Sequence, residues 1–276
     1  MISIELDKIG FSYTGSQEAP LFSDFSLTIR AGEWVTVVGP TGAGKTTLIK
    51  LMKGLCQPQT GQVRINDGLL PRGELNNLAA CVFANPENQI ISPVVVEDVA
   101  FGLENEGLRS KAVRARVEEA LRKVGLWEKS GDLSYHLSGG EQQRLLLAGV
   151  LALRKGCLLL DDSLCMVDGR KRDEMLRLLR RVNSSDSCTV VHTTHVLEEA
   201  VEAHRLVALE TGKLLFDGSP KSFFQNERLV ERLGLEVPAV ASLCKSLAAS
   251  GILEASSLTA VDQLVGLLTN VKRKKK

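Results

Sequence analysis

Hydrophobic and polar positions follow two different spacings along the chain, and each spacing predicts one kind of element. Residues 2–6 alternate between apolar and polar side chains, which predicts a half-buried strand, and Trp34–Val38 is an apolar run typical of a buried parallel strand. Between Arg109 and Val124 the apolar positions recur at the helical spacing, which predicts an amphipathic helix. Because such strands and helices alternate, the sequence predicts βαβ units and a mainly parallel sheet.

The same criteria predict the remaining elements. Further helices are predicted over 45–53, 141–153, 170–182 and 196–203, and further strands over 25–29, 157–160, 188–193, 205–210 and 213–217. Residues 60–83 indicate short strands joined by Gly and Asn turns, and the sequence after residue 219 indicates short helices broken at Pro220, 234–238 and Gly251.

Composition and charge exclude several classes of protein. Of the 276 residues, 44% are hydrophobic and 24% are charged, which excludes a disordered chain, a collagen-like fibre and a disulfide scaffold. The net charge of +1 argues against nucleic acid as a partner held by a strong positive field. The end of the chain, Lys272–Lys276, is wholly basic. A solvated terminus is the favoured interpretation, and weak attraction to an anionic membrane surface is the alternative.

Cysteine usage and hydropathy bear on the compartment. The six cysteines form no C-x-x-C pair and no zinc spacing, so reduced thiols and a cytosolic compartment are expected. We expect no signal peptide, and no apolar stretch approaches the roughly 18 residues that a bilayer span requires. Work at a membrane would therefore depend on partner subunits.

A phosphate-binding P-loop is predicted between the Trp34–Val38 strand and the helix that follows it. Its residues are Gly39, Pro40, Thr41, Gly42, Ala43, Gly44, Lys45, Thr46 and Thr47. Glycines allow consecutive backbone N–H groups to point at phosphate oxygens, and the helix N-terminus adds positive potential. Lys45 can reach the β- and γ-phosphates of a nucleotide, and the Thr46 hydroxyl can coordinate Mg²⁺. An ordinary Gly-rich turn is the alternative.

Two acidic residues, Asp161 and Asp162, close a second buried strand. A carboxylate at the C-terminal end of a parallel strand is well placed to hold the Mg²⁺ shell, and Asp161 is favoured for this role. The alternative is a helix N-cap, because Ser163 and Asp168 precede the next predicted helix.

Residues 137–144 carry the most specific motif of the chain. Ser138, Gly139, Gly140 and Glu141 open a helix and form a second candidate anion site, although Ser138 as a plain N-cap is an alternative. The eight-residue string resembles the signature motif of ATP-binding-cassette (ABC) ATPases, and nearly the whole chain follows that family's order of motifs. In that family two cassettes pair head to tail, and ATP lies between the P-loop of one and the signature of the other.

The resemblance implies a fold and a domain organisation. The expected fold is α/β of the P-loop NTPase class, with a mainly parallel core sheet, an antiparallel β subdomain and a helical subdomain that carries the signature. The ATP-binding domain is expected over residues 1–234, with the helical subdomain at about 86–155. Residues 235–276 are expected to form a small C-terminal helical appendage that ends in the basic tail.

The resemblance also implies roles for individual residues, with ATP and Mg²⁺ as the cofactors. Tyr13 matches the aromatic residue that stacks on adenine, with a core aromatic as the alternative, and 45–47 match the P-loop ligands. Asp161 matches the acidic residue that lies beside Mg²⁺ in the family, and Thr46 matches the P-loop residue that coordinates the ion. Asp168 matches the acid of a loop that crosses the dimer interface, and His195 matches the histidine that contacts the γ-phosphate.

Two positions depart from the family pattern. Where the family has a catalytic glutamate that polarises the attacking water, this chain has Asp162, whose carboxylate is retracted by one methylene. Where the family has a glutamine that contacts the metal or water, this chain has Ala84, and Gln89 is not expected to replace it. A misplacement of about 1 Å can cost on the order of 10²-fold in rate.

Longer stretches resemble one branch of the family. Asn85–Ile90, Val96–Gly102 and Leu233–Pro238 resemble the energy-coupling-factor (ECF) transporter ATPases. That branch implies a second, paralogous ATPase subunit, a transmembrane coupling subunit and a substrate-binding membrane subunit for a vitamin or metal ion. It also implies a peripheral position on the cytoplasmic face of the cell membrane.

Three functions follow from these resemblances. The favoured one is an ATP-hydrolysing subunit of an importer. The second is a weakened nucleotide-binding subunit that mainly completes a partner's site. The third, a soluble ABC protein of translation or DNA repair, would have tandem cassettes or a long coiled-coil insertion, and this chain has neither.

Overall fold

The computed structural model of the chain describes residues 2–13, 19–239, 242–243, 246–247 and 250. Two β-sheets and a group of helices make up this part of the protein. The basic tail and most of the appendage predicted for 235–276 lie outside the described residues. Within the described residues, no helix combines the length and the apolar character needed to cross a bilayer.

The larger sheet has six strands, five of them parallel. The strands of both sheets are β1 (Ile4–Phe11), β2 (Phe22–Ile29), β3 (Trp34–Val38), β4 (Thr60–Ile65), β5 (Gly68–Leu69), β6 (Ala79–Val82), β7 (Cys157–Asp161), β8 (Thr189–Thr194), β9 (Arg205–Glu210) and β10 (Lys213–Gly218). The six-stranded sheet has the order β10-β9-β3-β8-β7-β6, with antiparallel β10 at one edge. The second sheet, in the order β2-β1-β4-β5, is antiparallel. This architecture confirms the predicted fold class.

Seven α-helices have defined bounds in the described part of the chain, and residues 239, 242–243 and 246–247 are also helical. The seven helices are α1 (Lys45–Lys53), α2 (Val95–Asn105), α3 (Ser110–Lys123), α4 (Gly139–Leu153), α5 (Gly169–Ser185), α6 (Pro220–Phe224) and α7 (Glu227–Arg232). Helix α1 has the predicted bounds, and its C-cap Gly54 adopts a left-handed conformation that suits glycine. Helix α2 was not predicted from the sequence. Residues 197–202, predicted as an α-helix, form a 3₁₀-helix.

The sequence prediction at Pro220 was wrong. A helix break was expected there, but Pro220 is the first residue of α6. Proline suits this position because its missing N–H would have no partner within the first helical turn. The Ser219 hydroxyl accepts a hydrogen bond from Ser222 N and completes the helix start.

The core sheet separates two apolar cores. Alternate residues of β3 point to opposite faces, so Trp34 packs with the helical region and Val35 packs with α1 and the antiparallel sheet. The apolar positions that predicted the helix at 109–124 are all buried on the helical side. The signature helix α4 is therefore anchored through the same core that backs the central strands.

A charged cluster is buried beside the central sheet. Glu199, only 1% exposed, lies 3.2 Å from Nε2 of the buried His192 of β8 and 3.3 Å from Nε of Arg172 of α5. Burial tends to raise the pKa of Glu199, but the contacts with His192 and Arg172 outweigh it and hold that pKa below its ordinary value. The cluster joins α5 to the segment after β8.

Glu199→Gln should therefore destabilise the fold. Removing the carboxylate leaves Arg172 without its buried partner, and we expect a loss of up to about 3 kcal/mol in the free energy of unfolding. The matched control is Glu118→Gln, which breaks an exposed i,i+4 pair with Arg122 and should cost less than about 1 kcal/mol. Urea unfolding of both variants measures the difference. Equal losses would contradict a structural role for the buried cluster.

Candidate functional site

Three parallel strands deliver the candidate residues to one edge of the core sheet. The P-loop follows β3, Asp161 is the last residue of β7, and His195 follows β8. Val38 of β3 pairs with Thr194, and Asp161 pairs with Thr193. Because the carboxyl ends of parallel strands share an edge, the phosphate loop, the acidic pair and the histidine meet there.

The P-loop is shaped by glycines that accept close contacts and positive φ angles. A Cβ at Gly39 would lie 2.2 Å from the carbonyl oxygen of Leu209, so only glycine fits there. Gly44, with φ of 103°, is the N-cap of α1. No side chain caps this helix and no acidic residue lies in its first turn. Its N-terminus is therefore available to an anion.

Lys45 lies folded over the P-loop. Its ammonium group donates hydrogen bonds to the carbonyl oxygens of Gly39, at 2.7 Å, and Pro40, at 3.1 Å. Burial lowers the pKa of Lys45, while the nearby carboxylates of Asp162 and Asp161 oppose that shift. The loop thus keeps a cationic group beside the helix N-terminus.

Tyr13 lies at the rim of a cleft of about 390 Å³ that the P-loop lines together with Asp162. The Tyr13 hydroxyl is 2.8 Å from Thr47 Oγ1, and the ring packs edge-on against Phe11 with centroids 5.0 Å apart. The side chain remains 47% exposed, so it is not a core aromatic. An exposed ring beside a phosphate loop offers a surface on which a flat base can stack.

Asp161 is a buried carboxylate whose two oxygens are both in use. Oδ2 accepts a hydrogen bond from Thr46 Oγ1 at 2.7 Å, and Oδ1 accepts one from Thr193 Oγ1 at 2.6 Å. Burial raises the pKa of Asp161, and the hydrogen bonds from Thr193 and Thr46 oppose that rise. Thr193 was not identified from the sequence, although a polar residue inside a buried strand was a usable signal.

The donor atoms around Asp161 fit Mg²⁺. This ion prefers oxygen ligands and usually keeps several waters and substrate phosphates, with only one or two protein carboxylates. Thr46 Oγ1 and Asp161 Oδ2 provide such an oxygen pair next to the phosphate loop. In the described part of the chain, no three His, Cys, Asp or Glu side chains gather as a metal cluster.

Asp162 and His195 form a second pair at the same edge. Asp162 Oδ1 lies 3.1 Å from His195 Nδ1, and the imidazole is 59% exposed. The backbone of Asp162 is left-handed, with φ of 45°, and its N–H donates to the carbonyl oxygen of Thr193 at 3.0 Å. This geometry turns the carboxylate towards the P-loop cleft, which it lines.

The helix-cap alternative for the acidic pair is excluded by α5. Its N-cap is Asp168, whose Oδ1 accepts a hydrogen bond from Lys171 N at 3.1 Å. Asp162 lies six residues before that cap and does not cap α5. The dimer-interface role expected for Asp168 stays a prediction.

The signature residues form a second helix start. Ser138 is the N-cap of α4 in a capping box: its hydroxyl accepts from Glu141 N, and the Glu141 carboxylate accepts from Ser138 N at 3.0 Å. Lys129 donates to Glu141 at 2.7 Å, and this hydrogen bond lowers the pKa of Glu141. Among the described residues, 138–141 do not line the P-loop cleft. The chain therefore presents two separate helix N-termini.

The structure also shows the contacts of Ala84, which replaces the family's glutamine, and of Gln89. Gln89 Oε1 accepts a hydrogen bond from Phe83 N at 2.8 Å, so its side chain is engaged by the backbone. Ala84 offers only its carbonyl oxygen, which accepts from Gln143 Nε2 at 3.2 Å. The sequence reasoning missed Gln143. A fully buried glutamine in a predicted helix cannot be told from a solvated one by its spacing alone.

Comparisons with known sequences agree with this geometry. A family model described as ABC transporter matches residues 22–164, which include the P-loop, the signature and the acidic pair. Energy-coupling factor transporter ATP-binding protein EcfA1 of Clostridioides difficile (strain 630) is 36% identical over 267 residues, covering 95% of this chain and 96% of that protein. The EcfA1 protein of Symbiobacterium thermophilum is 40% identical over 247 residues, covering 88% and 86%.

Solved structures share the fold. The structure of cbiO1 from Clostridium perfringens, part of the ABC transporter complex cbiONQ, has a TM-score of 0.73 at 23% identity and covers 88% of this chain and 98% of that chain. A dimeric bacterial ABC transporter cassette has a TM-score of 0.72 at 26% identity, with 79% and 98% covered. A dimeric cassette in a post-hydrolysis state with ADP and Pi has a TM-score of 0.71 at 25% identity, with 79% and 98% covered.

Lys45→Ala should weaken nucleotide binding. The variant loses a charge-assisted contact with phosphate but keeps the backbone of the P-loop, and we expect the affinity for ATP to fall about tenfold to a hundredfold. Lys50→Ala, on the same helix outside the cleft lining, is the matched control and should bind as the parent does. Titration with a fluorescent ATP analogue measures both. Unchanged affinity in Lys45→Ala would refute the P-loop assignment.

Proposed function

Because the chain belongs to the ABC transporter family and is an ATPase of its energy-coupling factor branch, we propose that it drives the uptake of a vitamin or metal ion. ATP hydrolysis at a head-to-tail pair of cassettes supplies the free energy. The similarity to EcfA1 proteins supports the transport function, and one structural observation supports the pairing of cassettes: the signature at the start of α4 does not line the P-loop cleft of its own chain. A second cassette is needed to bring a signature to that cleft.

Within one site, the residues divide the work. Tyr13 stacks on the base, and the backbone of 39–47 with Lys45 holds the phosphates. Thr46 and Asp161 would hold Mg²⁺, which would neutralise phosphate charge when bound. Asp162 orients the attacking water, and His195, 3.1 Å from Asp162, keeps that carboxylate in place and contacts the γ-phosphate.

The signature acts on the partner's nucleotide. The N-terminus of α4, with Ser138, Gly139 and Gly140, can face a phosphate as the P-loop helix does, although Glu141 already accepts a hydrogen bond there. Asp168, at the end of the loop after β7, lies at the interface between the two cassettes. The dimeric state of a cassette that is 26% identical supports this pairing.

The proposed partners follow from the branch. They are a second ABC ATPase subunit that is a paralogue, a transmembrane coupling subunit and a substrate-binding membrane subunit. The relatives named energy-coupling factor transporter ATP-binding protein support this assembly. The chain then lies peripherally on the cytoplasmic face of the cell membrane.

A second candidate function concerns the strength of this subunit's own site. The carboxylate of Asp162 is short and is engaged by His195, and Ala84 has no polar side chain to offer a metal or water. These two positions favour a subunit that hydrolyses slowly and mainly completes the partner's site. The signature helix, with its capping box, has no comparable defect.

The full chain should co-purify with membrane subunits. We expect an affinity-tagged chain, extracted in mild detergent, to carry a second ATPase subunit and two membrane proteins, and vesicles containing the complex to take up its ligand only with ATP. Mass spectrometry identifies the subunits and the bound ligand. Isolation of the chain alone, or of a complex without membrane proteins, would refute the importer assignment.

Asp162→Glu should accelerate hydrolysis in the assembled complex with little change in ATP affinity. The longer side chain brings the carboxylate nearer the attacking water, and an effect on rate alone marks an interaction made mainly in the transition state. Adding Ala84→Gln should give a further gain, because both residues act on one water and metal cluster. Single-turnover hydrolysis on the parent, the two single variants and the double variant measures these effects.

Thermal unfolding serves as the control for these four proteins. The left-handed backbone at residue 162 predicts that glutamate costs about 1 kcal/mol of stability whatever its effect on rate. The rate is therefore the discriminating measurement. No acceleration in either glutamate variant would refute the catalytic role of position 162.

A further inference from the structure

Gln143 is a fully buried polar side chain in α4, five residues after Ser138. Its exposed fraction is 0%. Three groups outside its own helix contact its amide: Nε2 donates to the carbonyl oxygen of Ala84 and to Cys165 Sγ, both at 3.2 Å, and Oε1 accepts from Met166 N at 2.8 Å. Both N–H donors and one lone pair of the amide are thus engaged.

We propose that Gln143 is a positioning residue that fastens two loops of its own chain to the signature helix. The first is the loop after β6, which contains Ala84. The second is the loop after β7, which runs from Asp162 to Asp168. The inference rests on the head-to-tail pairing proposed above, because the signature helix and the loop after β7 then serve different nucleotides.

Packing around the signature supports this role independently. A Cβ on Gly140 would lie 2.8 Å from the carbonyl oxygen of Met166, and one on Gly139 would lie 3.1 Å from Met166 Sδ. The signature backbone therefore packs closely against the loop after β7, with no space for a side chain between them. A shift of α4 against that loop would therefore have to displace it.

The loop after β7 is also held at its far end. Arg172 Nη2 donates to the carbonyl oxygen of Val167 at 3.1 Å, and Asp168 caps α5. Met166 N, bonded to Gln143, is therefore adjacent to a second polar anchor at Val167. Cys165 N donates to the Asp162 carbonyl oxygen at 3.2 Å and connects this end of the loop to Asp162. Movement of the helix is therefore transmitted along the loop to Asp162, which lines the P-loop cleft.

The loop after β6 depends on Gln143 for a different reason. Ala84 has no polar side chain, and Gln89 is engaged by Phe83 N. The hydrogen bond from Gln143 to the Ala84 carbonyl oxygen therefore provides a direct polar link from that residue to the loop beside the acidic pair. Gln143 thus fixes the positions of the loops that carry Ala84 and Asp162 relative to the signature helix.

The informative variant is Gln143→Met, which keeps an unbranched side chain of similar length but removes the donors and the acceptor. Gln57→Met is the chemical control, because among the described residues the Gln57 side chain bonds only to the Gly54 carbonyl oxygen at the end of α1. Val117→Ala, in the buried face of α3, is the control for lost stability. All variants are made in the full chain, and their melting temperatures are measured first.

Hydrogen exchange on the isolated full chain tests the anchoring without any partner. Gln143→Met should speed exchange of the Met166 amide by at least about tenfold, since its buried acceptor is lost. Exchange at Met166 in Gln57→Met and Val117→Ala should stay within about twofold of the parent's rate. Unchanged exchange at Met166 in Gln143→Met would overturn the proposal, whatever the assembly of the complex shows.

Turnover in the reconstituted complex tests the consequence. Gln143→Met should lower kcat about tenfold to a hundredfold while KM for ATP changes little, because positioning is lost and the P-loop is intact. A loss no larger than that of Val117→Ala at equal melting temperature would overturn the proposal. Failure of the parent chain to assemble would count against the importer function alone, since the exchange result stands by itself.

Discussion

The arrangement of the site depends on one buried carboxylate. Asp161 is 2% exposed, and its two oxygens accept hydrogen bonds from Thr46 at the start of α1 and from Thr193 near the end of β8. A charge so deeply buried is tolerated only where polar partners surround it. Thr46 begins the helix that follows β3, Asp161 ends β7 and Thr193 lies in β8, so satisfying Asp161 also fixes the relative positions of the phosphate loop, Asp162 and His195. The same hydrogen bonds therefore satisfy the buried carboxylate and hold the functional residues together at this edge of the sheet.

Elements with local determinants could be predicted from the sequence. The bounds of α1 follow from the glycines before it and from Gly54 after it, and β3 is a nearly continuous apolar run. Helix α2 was missed although Val95, Val99 and Leu103 recur at the helical spacing. The exposed Phe101 lies on the same side as Glu97 and Glu104, and this apolar residue on the polar side obscures the pattern.

Motif residues could be found in the sequence, but the contacts between them could not. The P-loop, the acidic pair and the signature each occupy a short segment, whereas the Asp162–His195 pair joins two residues that lie 33 positions apart in the chain. Such pairs are set by strand order and register, which local spacing does not encode. The same limit applies to Gln143, whose three partners come from the loops after β6 and β7. The side-chain amide of Gln143 becomes buried among those loops only when α4 packs against the sheet.

The capping box at the start of α4 affects how strongly a nucleotide phosphate can bind to that helix N-terminus. The helix end is already neutralised by its own anion, because Glu141 accepts from Ser138 N and Lys129 keeps that carboxylate ionised. An incoming phosphate therefore competes with an internal ligand, and the net gain is the difference between two anions at one helix terminus. A lone phosphate, which brings no other contacts, gains little from that exchange. A nucleotide already seated on a second cassette gains from the whole interface, so the competition favours the assembled state over free anions.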